Sequence, residues 1–193
     1  MKKVKFIFKL FLFLFICFIV CMSSLYIYAY FSGKIDIRTS NSFYIYDNKD
    51  SLVYLGSGNS EWVDLEDVSN YFIEAIISTE DKHFYKHMGF DYLRIVKSMY
   101  TNLKNGYITQ GGSTISQQYV KNMYLDFDQT WERKIQEAFL TLKLETHYNK
   151  DDILEGYINT INFGQGCYGI SEASKYYFNK KPNELTLEEA IIL

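Results

Sequence analysis

The chain has 193 residues, 48% hydrophobic and 18% aromatic, with 18 Tyr, 15 Phe and a single proline, a content that fills a core and excludes disorder. Four of the 20 basic residues (Lys2, Lys3, Lys5, Lys9) precede position 31 and all 23 acidic residues follow it. The remainder is therefore acidic, 16 basic against 23 acidic residues, which argues against a nucleic-acid binder. Cys17 and Cys21 lie in an apolar run and Cys167 stands alone, so neither a disulfide framework nor a zinc spacing can be built.

From Leu10 to Phe31 there are 22 residues, apolar but for Ser23 and Ser24. As a helix they measure roughly 33 Å, enough to span a bilayer. The lysines before the run place the N-terminus in the cytoplasm and the rest of the chain outside. Bulky Tyr26, Tyr28 and Tyr30 follow the apolar core, so a cleaved leader is disfavoured and a single-pass anchor expected. Four segments are expected: a basic cytoplasmic N-terminus (1–9), a transmembrane helix (10–31), a membrane-proximal linker (32–63) and one domain (64–193). Within the linker, Phe43–Tyr46, a polar turn at Asp47–Asp50 and Leu52–Leu55 predict a small β-hairpin that serves as a spacer.

Beyond residue 64 the pattern is mainly α. Val68, Phe72, Ala75, Ile76 and Thr79 share one face and predict a core helix whose C-terminal end delivers Glu80. Residues 80 to 91 then break the periodicity with titratable and small side chains, where function usually resides. Asp91 is expected to cap a helix that turns Ile95, Val96, Met99 and Leu103 inward and stops at Gly106.

Gly111 and Gly112 lead into a helix capped by Ser113 or Thr114, with Gln117 and Lys121 one turn apart and Gln118 beside them. Glycines before a helix start favour an anion there, although such a pair is more often a turn. A helix from Thr130 to His147 carries Arg133, Lys134 and Glu137, and spacing alone favours a solvated Arg133–Glu137 ion pair worth a few tenths of a kcal/mol. Asp151 or Asp152 is expected to cap the next helix, and Thr186-Leu187-Glu188-Glu189 reads as a capping box opening the last one.

Five segments in order resemble the peptidoglycan glycosyltransferases (glycosyltransferase family 51), the polymerising domains of class A penicillin-binding proteins and of monofunctional, membrane-anchored enzymes. They are Glu80-Asp81-x-x-Phe84-x-x-His87-x-Gly89-x-Asp91; Gly111-Gly112-Ser113-Thr114-Ile115-Ser116-Gln117-Gln118 with Lys121-Asn122; Arg133-Lys134-x-x-Glu137 through Glu145; Ile153-Leu154-Glu155-x-Tyr157-Ile158-Asn159 through Lys180; and Leu185-Thr186-Leu187-x-Glu189-Ala190.

The resemblance implies a lysozyme-like helical domain outside the cytoplasmic membrane. It would use lipid II to extend glycan strands with inversion, releasing undecaprenyl pyrophosphate. Glu80 matches the base that takes the acceptor hydroxyl's proton. Lys121 and Arg133 match positions that serve the pyrophosphate. Glu137 matches a second essential glutamate, acting through a divalent cation (Mg or Mn) or by orienting the basic groups.

Asp81, Phe84, His87, Ser113, Thr114, Gln117, Gln118, Asn122 and Lys134 match signature positions and complete the implied substrate-binding set, with His87 favoured as a supporting hydrogen-bonding residue. Gly111 and Gly112 would keep a loop open to glycan movement, and the apolar stretch around Tyr119, Met123, Tyr124, Leu125, Phe127 and Trp131 would meet the bilayer. Implied partners are lipid II, the growing strand, the cytoplasmic membrane and other cell-wall synthases.

Two departures stand out: Gln129 replaces an arginine common in the family, and family domains continue past the position of Leu193, as if this chain were truncated. The competing readings are an impaired homologue that binds lipid II or glycan without polymerising it, and a lysozyme-like hydrolase. A pyrophosphate cradle argues against the hydrolase.

Overall fold

The computed structural model describes residues 2–37, 43–46, 52–56, 61–125 and 130–193. The expected turn at Asp47–Asp50 and both Phe127 and Gln129 lie outside these. Helix α1 spans Lys2–Phe31, so it begins earlier than the apolar run, because the first lysines are helix formers that alternate with Phe6, Ile7 and Phe8. Its large side chains are exposed, and the stretch Lys5–Phe31 is long and apolar enough to cross a membrane. Only near its end does it gain neighbours: Ala29 is buried, and the Tyr28 ring lies 5.5 Å from that of Phe139. Between anchor and domain, the backbone of Phe43–Tyr46 (β1) pairs antiparallel with Leu52–Gly56 (β2).

The domain is a set of helices: α2 (Asn70–Glu80), α3 (Tyr92–Asn105), α4 (Ile115–Tyr124), α5 (Trp131–His147), α6 (Lys150–Thr160), α7 (Ile170–Phe178) and α8 (Leu187–Ile192). Its centre is α6, apolar on several sides and covered by α4, α5 and α7, with Ile153, Leu154, Tyr157 and Ile158 packed against Ile115, Tyr119, Val120, Leu144 and Ile170. Each such side chain, fully removed from water, contributes about 1.5–3 kcal/mol.

Local chemistry sets the helix starts. Asp91 caps α3 as expected, accepting from Arg94 N, and Gly106 closes it in the left-handed conformation. At α4 the cap is Thr114 rather than Ser113, in a reciprocal box with Gln117. At α6 neither Asp151 nor Asp152 is the cap: Asn149 is, and Asp152 returns a bond to the Asn149 N–H, because the helix already begins at Lys150. The box opening α8 forms between Thr186 and Glu189 as read.

The expectation for α3 is overturned. Val96, Met99 and Leu103 are 66%, 61% and 74% exposed, and no element among the described residues covers them. The periodicity locates an apolar face correctly but carries no information on what that face meets. Tyr107, Ile108, Trp131 and Ile135 are exposed as well, so apolar surface continues from α3 through the following loop to the first turns of α5. Conversely, Tyr119, expected at the bilayer, is a core residue. In α2, Phe72 and the preceding Val68 are buried, Ala75 and Ile76 are half-buried and Thr79 is exposed.

Candidate functional site

Glu80 is the last residue of α2. It stands half-buried on the wall of a cleft of about 480 Å³ between α2 and α8, beside Ser78, Thr79, Leu187 and Ala190. Its carboxylate accepts from Gln118 Nε2 at 2.7 Å, and Gln118 Oε1 in turn accepts from the Tyr157 hydroxyl at 3.1 Å. Burial, and then the charges of Glu80 and Asp81, push the Tyr157 phenol up, so it stays a protonated donor. The Arg94 guanidinium donates to the Glu80 backbone carbonyl, closing the end of α2 from the α3 side. This leaves a carboxylate fixed by a neutral amide, with its second oxygen available to a hydroxyl.

The signature residues after Glu80 hold the loop. Asp81 is fully buried and takes His87 Nε2 at 3.0 Å on both oxygens and the N–H of Ile115 at 3.1 Å, tying the loop to the start of α4. Phe84 has no exposure and carries Lys150 Nζ 4.5 Å above its ring. Gly89 takes φ +81°, and a Cβ there would meet Thr141 Cγ2 at 2.7 Å, so only glycine brings this turn against α5. Its carbonyl accepts the Thr114 hydroxyl at 2.7 Å. Asp81, Phe84 and Thr114 are therefore buried supports rather than cleft-wall residues. His87 lies half-buried with its Nε2 on Asp81.

Glu137 overturns the reading of a solvated ion pair. It is 1% exposed on α5, because α4 lies over it. One oxygen pairs with Arg133 at 2.9 Å, and the other takes the Lys134 ammonium and Gln117 Nε2 at 3.2 Å. A pair this far from water is held by complementary geometry, and removing one member strands the other. Arg133 Nε is also buried and has no partner among the described residues. Gln117 is occupied by Thr114 and Glu137, so it acts as a brace.

Lys121 and Asn122 lie further along α4, half-buried. Ser113 and Lys134 line a groove of about 840 Å³ with Ile95, Met99, Leu103 and Trp131. Gly112 in its wall is there for close approach more than for mobility, since a Cβ would lie 2.9 Å from Ser98 Oγ. Through Gln110 and Gly111 this groove adjoins a smaller one of about 540 Å³ lined by Lys82, Arg94 and Lys97.

Around Glu137 the neighbours are two cations and an amide, and the described residues hold no cluster of three His, Cys, Asp or Glu side chains. That donor set suits an anion and does not fit a resident divalent metal, which takes several oxygen ligands. Sequence reading missed Arg94 and the role of Tyr157. Asp91 three residues before Arg94 and the Glu155-x-Tyr157 segment were the available signals.

A family model described as Transglycosylase matches residues 48–193. Penicillin-binding protein 2D of Bacillus subtilis (strain 168) is 49% identical over 132 residues, 68% of this chain and 19% of that protein. Proteins named biosynthetic peptidoglycan transglycosylase, from Nitrosomonas eutropha and Mannheimia succiniciproducens, are 44% and 45% identical over 67% and 70% of this chain. This chain spans 53% and 55% of their lengths.

Proposed function

The chain belongs to the transglycosylase family, and on that premise we propose that it polymerises lipid II into peptidoglycan glycan strands. One observation carries the reading: adjacent residues of α4, Gln118 and Gln117, hold two glutamates in different surroundings, Glu80 on a cleft wall against a neutral amide and Glu137 buried between two cations. Glu80 takes the proton of the acceptor's sugar 4-hydroxyl as that oxygen attacks the anomeric carbon of the lipid-linked donor. The attack inverts that carbon and displaces undecaprenyl pyrophosphate, whose growing charge is met by Arg133, Lys134 and Lys121. Glu137 keeps Arg133 and Lys134 in place and balanced until that charge arrives. A magnesium or manganese ion, if used, would arrive with the pyrophosphate rather than reside on Glu137.

The membrane is part of this reading. With α1 across the cytoplasmic membrane and Lys2, Lys3, Lys5 and Lys9 inside, the domain stands outside. The exposed face of α3, with Tyr107, Ile108 and Trp131, then rests in the interface, where aromatic and aliphatic side chains partition. The growing strand leaves by the cleft, and other cell-wall synthases are its natural neighbours. The test is a gel assay of glycan polymer from labelled lipid II in vesicles. Polymer from the parent and none from Glu80→Gln supports the reading, and robust synthesis by that variant overturns the assignment of the base.

A further inference from the structure

Where the chain leaves α1, its backbone carbonyls are taken one after another by α4, α5 and the residue that follows α5. His147 Nε2 bonds the Tyr30 carbonyl at 3.0 Å with its ring stacked on that of Tyr30, and Lys143 Nζ donates to the Ser32 carbonyl at 3.2 Å. Three phenols then meet three successive carbonyls. Tyr148 donates to Ile35 O at 2.5 Å, Tyr124 to Asp36 O, and Tyr119 to Ile37 O at 2.5 Å. Lys34 covers the Tyr148 ring at 5.4 Å, and Ile35 and Ile37 pack on the core.

A buried phenol always needs an acceptor, and one such bond would mean little. Here three converge on one short extended stretch, and the core is shaped around the deepest. Tyr119 is 2% exposed, and a Cβ on Gly156 of α6 would stand 2.3 Å from its hydroxyl oxygen, so α6 is cut back to let the phenol through. Burial raises all three phenols above the ordinary tyrosine value, with the Asp36 charge adding to it, so they remain donors.

The helices that grip this stretch also hold the site. α4 carries Tyr119 and Tyr124 together with Gln117 and Gln118, and Tyr148 follows directly on α5, which carries Arg133, Lys134 and Glu137. We propose that Tyr119, Tyr124 and Tyr148 are positioning residues that lock the membrane exit of the chain to the two helices holding the reactive glutamates. The cleft then stands at a fixed height and tilt over the bilayer. This rests on the reading of the cleft as one that works on a lipid-linked substrate, whose diphosphate lies at the membrane surface. With the clasp released, residues 33–37 become a free tether spanning at most about 17 Å, about which the domain could swing.

The test uses the full chain with all three tyrosines changed to Phe, which removes three hydroxyls and keeps three rings, and Tyr148→Phe alone as the milder variant. Nitroxides at Ile27→Cys and Glu132→Cys, in a background with Cys17, Cys21 and Cys167 changed to Ala, report the anchor-to-domain distance in lipid vesicles. The distribution is expected to be narrow in the parent and broad in the triple variant, with Tyr148→Phe between them. Turnover of lipid II is expected to fall about tenfold in vesicles and less than about twofold in detergent micelles, where no flat surface sets a height. An unchanged distance distribution overturns the clasp, and so does an equal loss of turnover in both media. Absence of polymer from the parent would strike the functional reading instead, and the distances would still judge the clasp.

Discussion

Glu80 and Glu137 share a residue type and a support, each held by one of two neighbouring glutamines on α4, yet their surroundings are opposed. Glu80 is half-buried, faces an open cleft and meets a neutral amide. Glu137 is buried beneath α4 and meets an arginine, a lysine and an amide. Under the proposed function the same carboxylate serves as a proton acceptor where a hydroxyl can reach it and as a counter-charge where it sits between two cations. Its environment decides which.

Changing one side at a time breaks the comparison. Glu80→Gln is expected to lower turnover by about 10³-fold with no loss in melting temperature, because an amide cannot take the proton but fills the same space. Glu137→Gln should lower turnover by about 10²-fold and also stability by about 3 kcal/mol, since Arg133 stays buried without its anion. A melting curve unchanged by Glu137→Gln would show that the cations find water and that the two glutamates differ less than their burial implies. Gln118→Ala sharpens the contrast from the Glu80 side: an expected loss of about tenfold in turnover with little change in substrate affinity, read from the kcat against KM split.

The smallest effect belongs to a third carboxylate, Asp91, which does neither job. The Arg94 N–H, then the His83 ring, hold it below its ordinary value of 3.8. A carboxylate lowered by folding contributes stability that is present above the ordinary value and is lost as pH falls through the folded one. Asp91→Asn should therefore cost about 0.5–1 kcal/mol at pH 7. The difference should shrink as pH falls below 3.8 and be lost once Asp91 is protonated in the folded chain, in melting curves taken against pH, with turnover at pH 7 unchanged.

Much of this was readable in the chain. Asp91, Gly106 and the Thr186–Glu189 box announce their helix ends because capping is a local property. The long apolar run announces, for the same reason, a helix long and apolar enough to cross a membrane. What spacing could not reveal was tertiary. The Arg133–Glu137 pair looks like any surface pair until α4 covers it. The α3 stripe looks like core because an apolar face has the same period whether it meets protein or lipid. Aromatic richness around Tyr119 pointed outward, while the phenol runs inward past Gly156. Phe84 and Asp81 matched a signature whose purpose in this fold is to hold a loop, which a motif alone does not distinguish from contact with a ligand.

The wall of the Glu80 cleft also fixes when that cleft can form. Ser69, at the start of α2, receives its partners from the other end of the domain: its N–H donates to the Pro182 carbonyl and its hydroxyl to that of Leu185, 116 positions later. Residues of α8 then form the far side of the cleft. At about 5–20 residues per second, roughly ten seconds of synthesis separate the two. During that interval the segment bearing Glu80 has emerged but has neither its brace nor its opposite wall, so a nascent chain acquires the complete cleft only when α8 arrives.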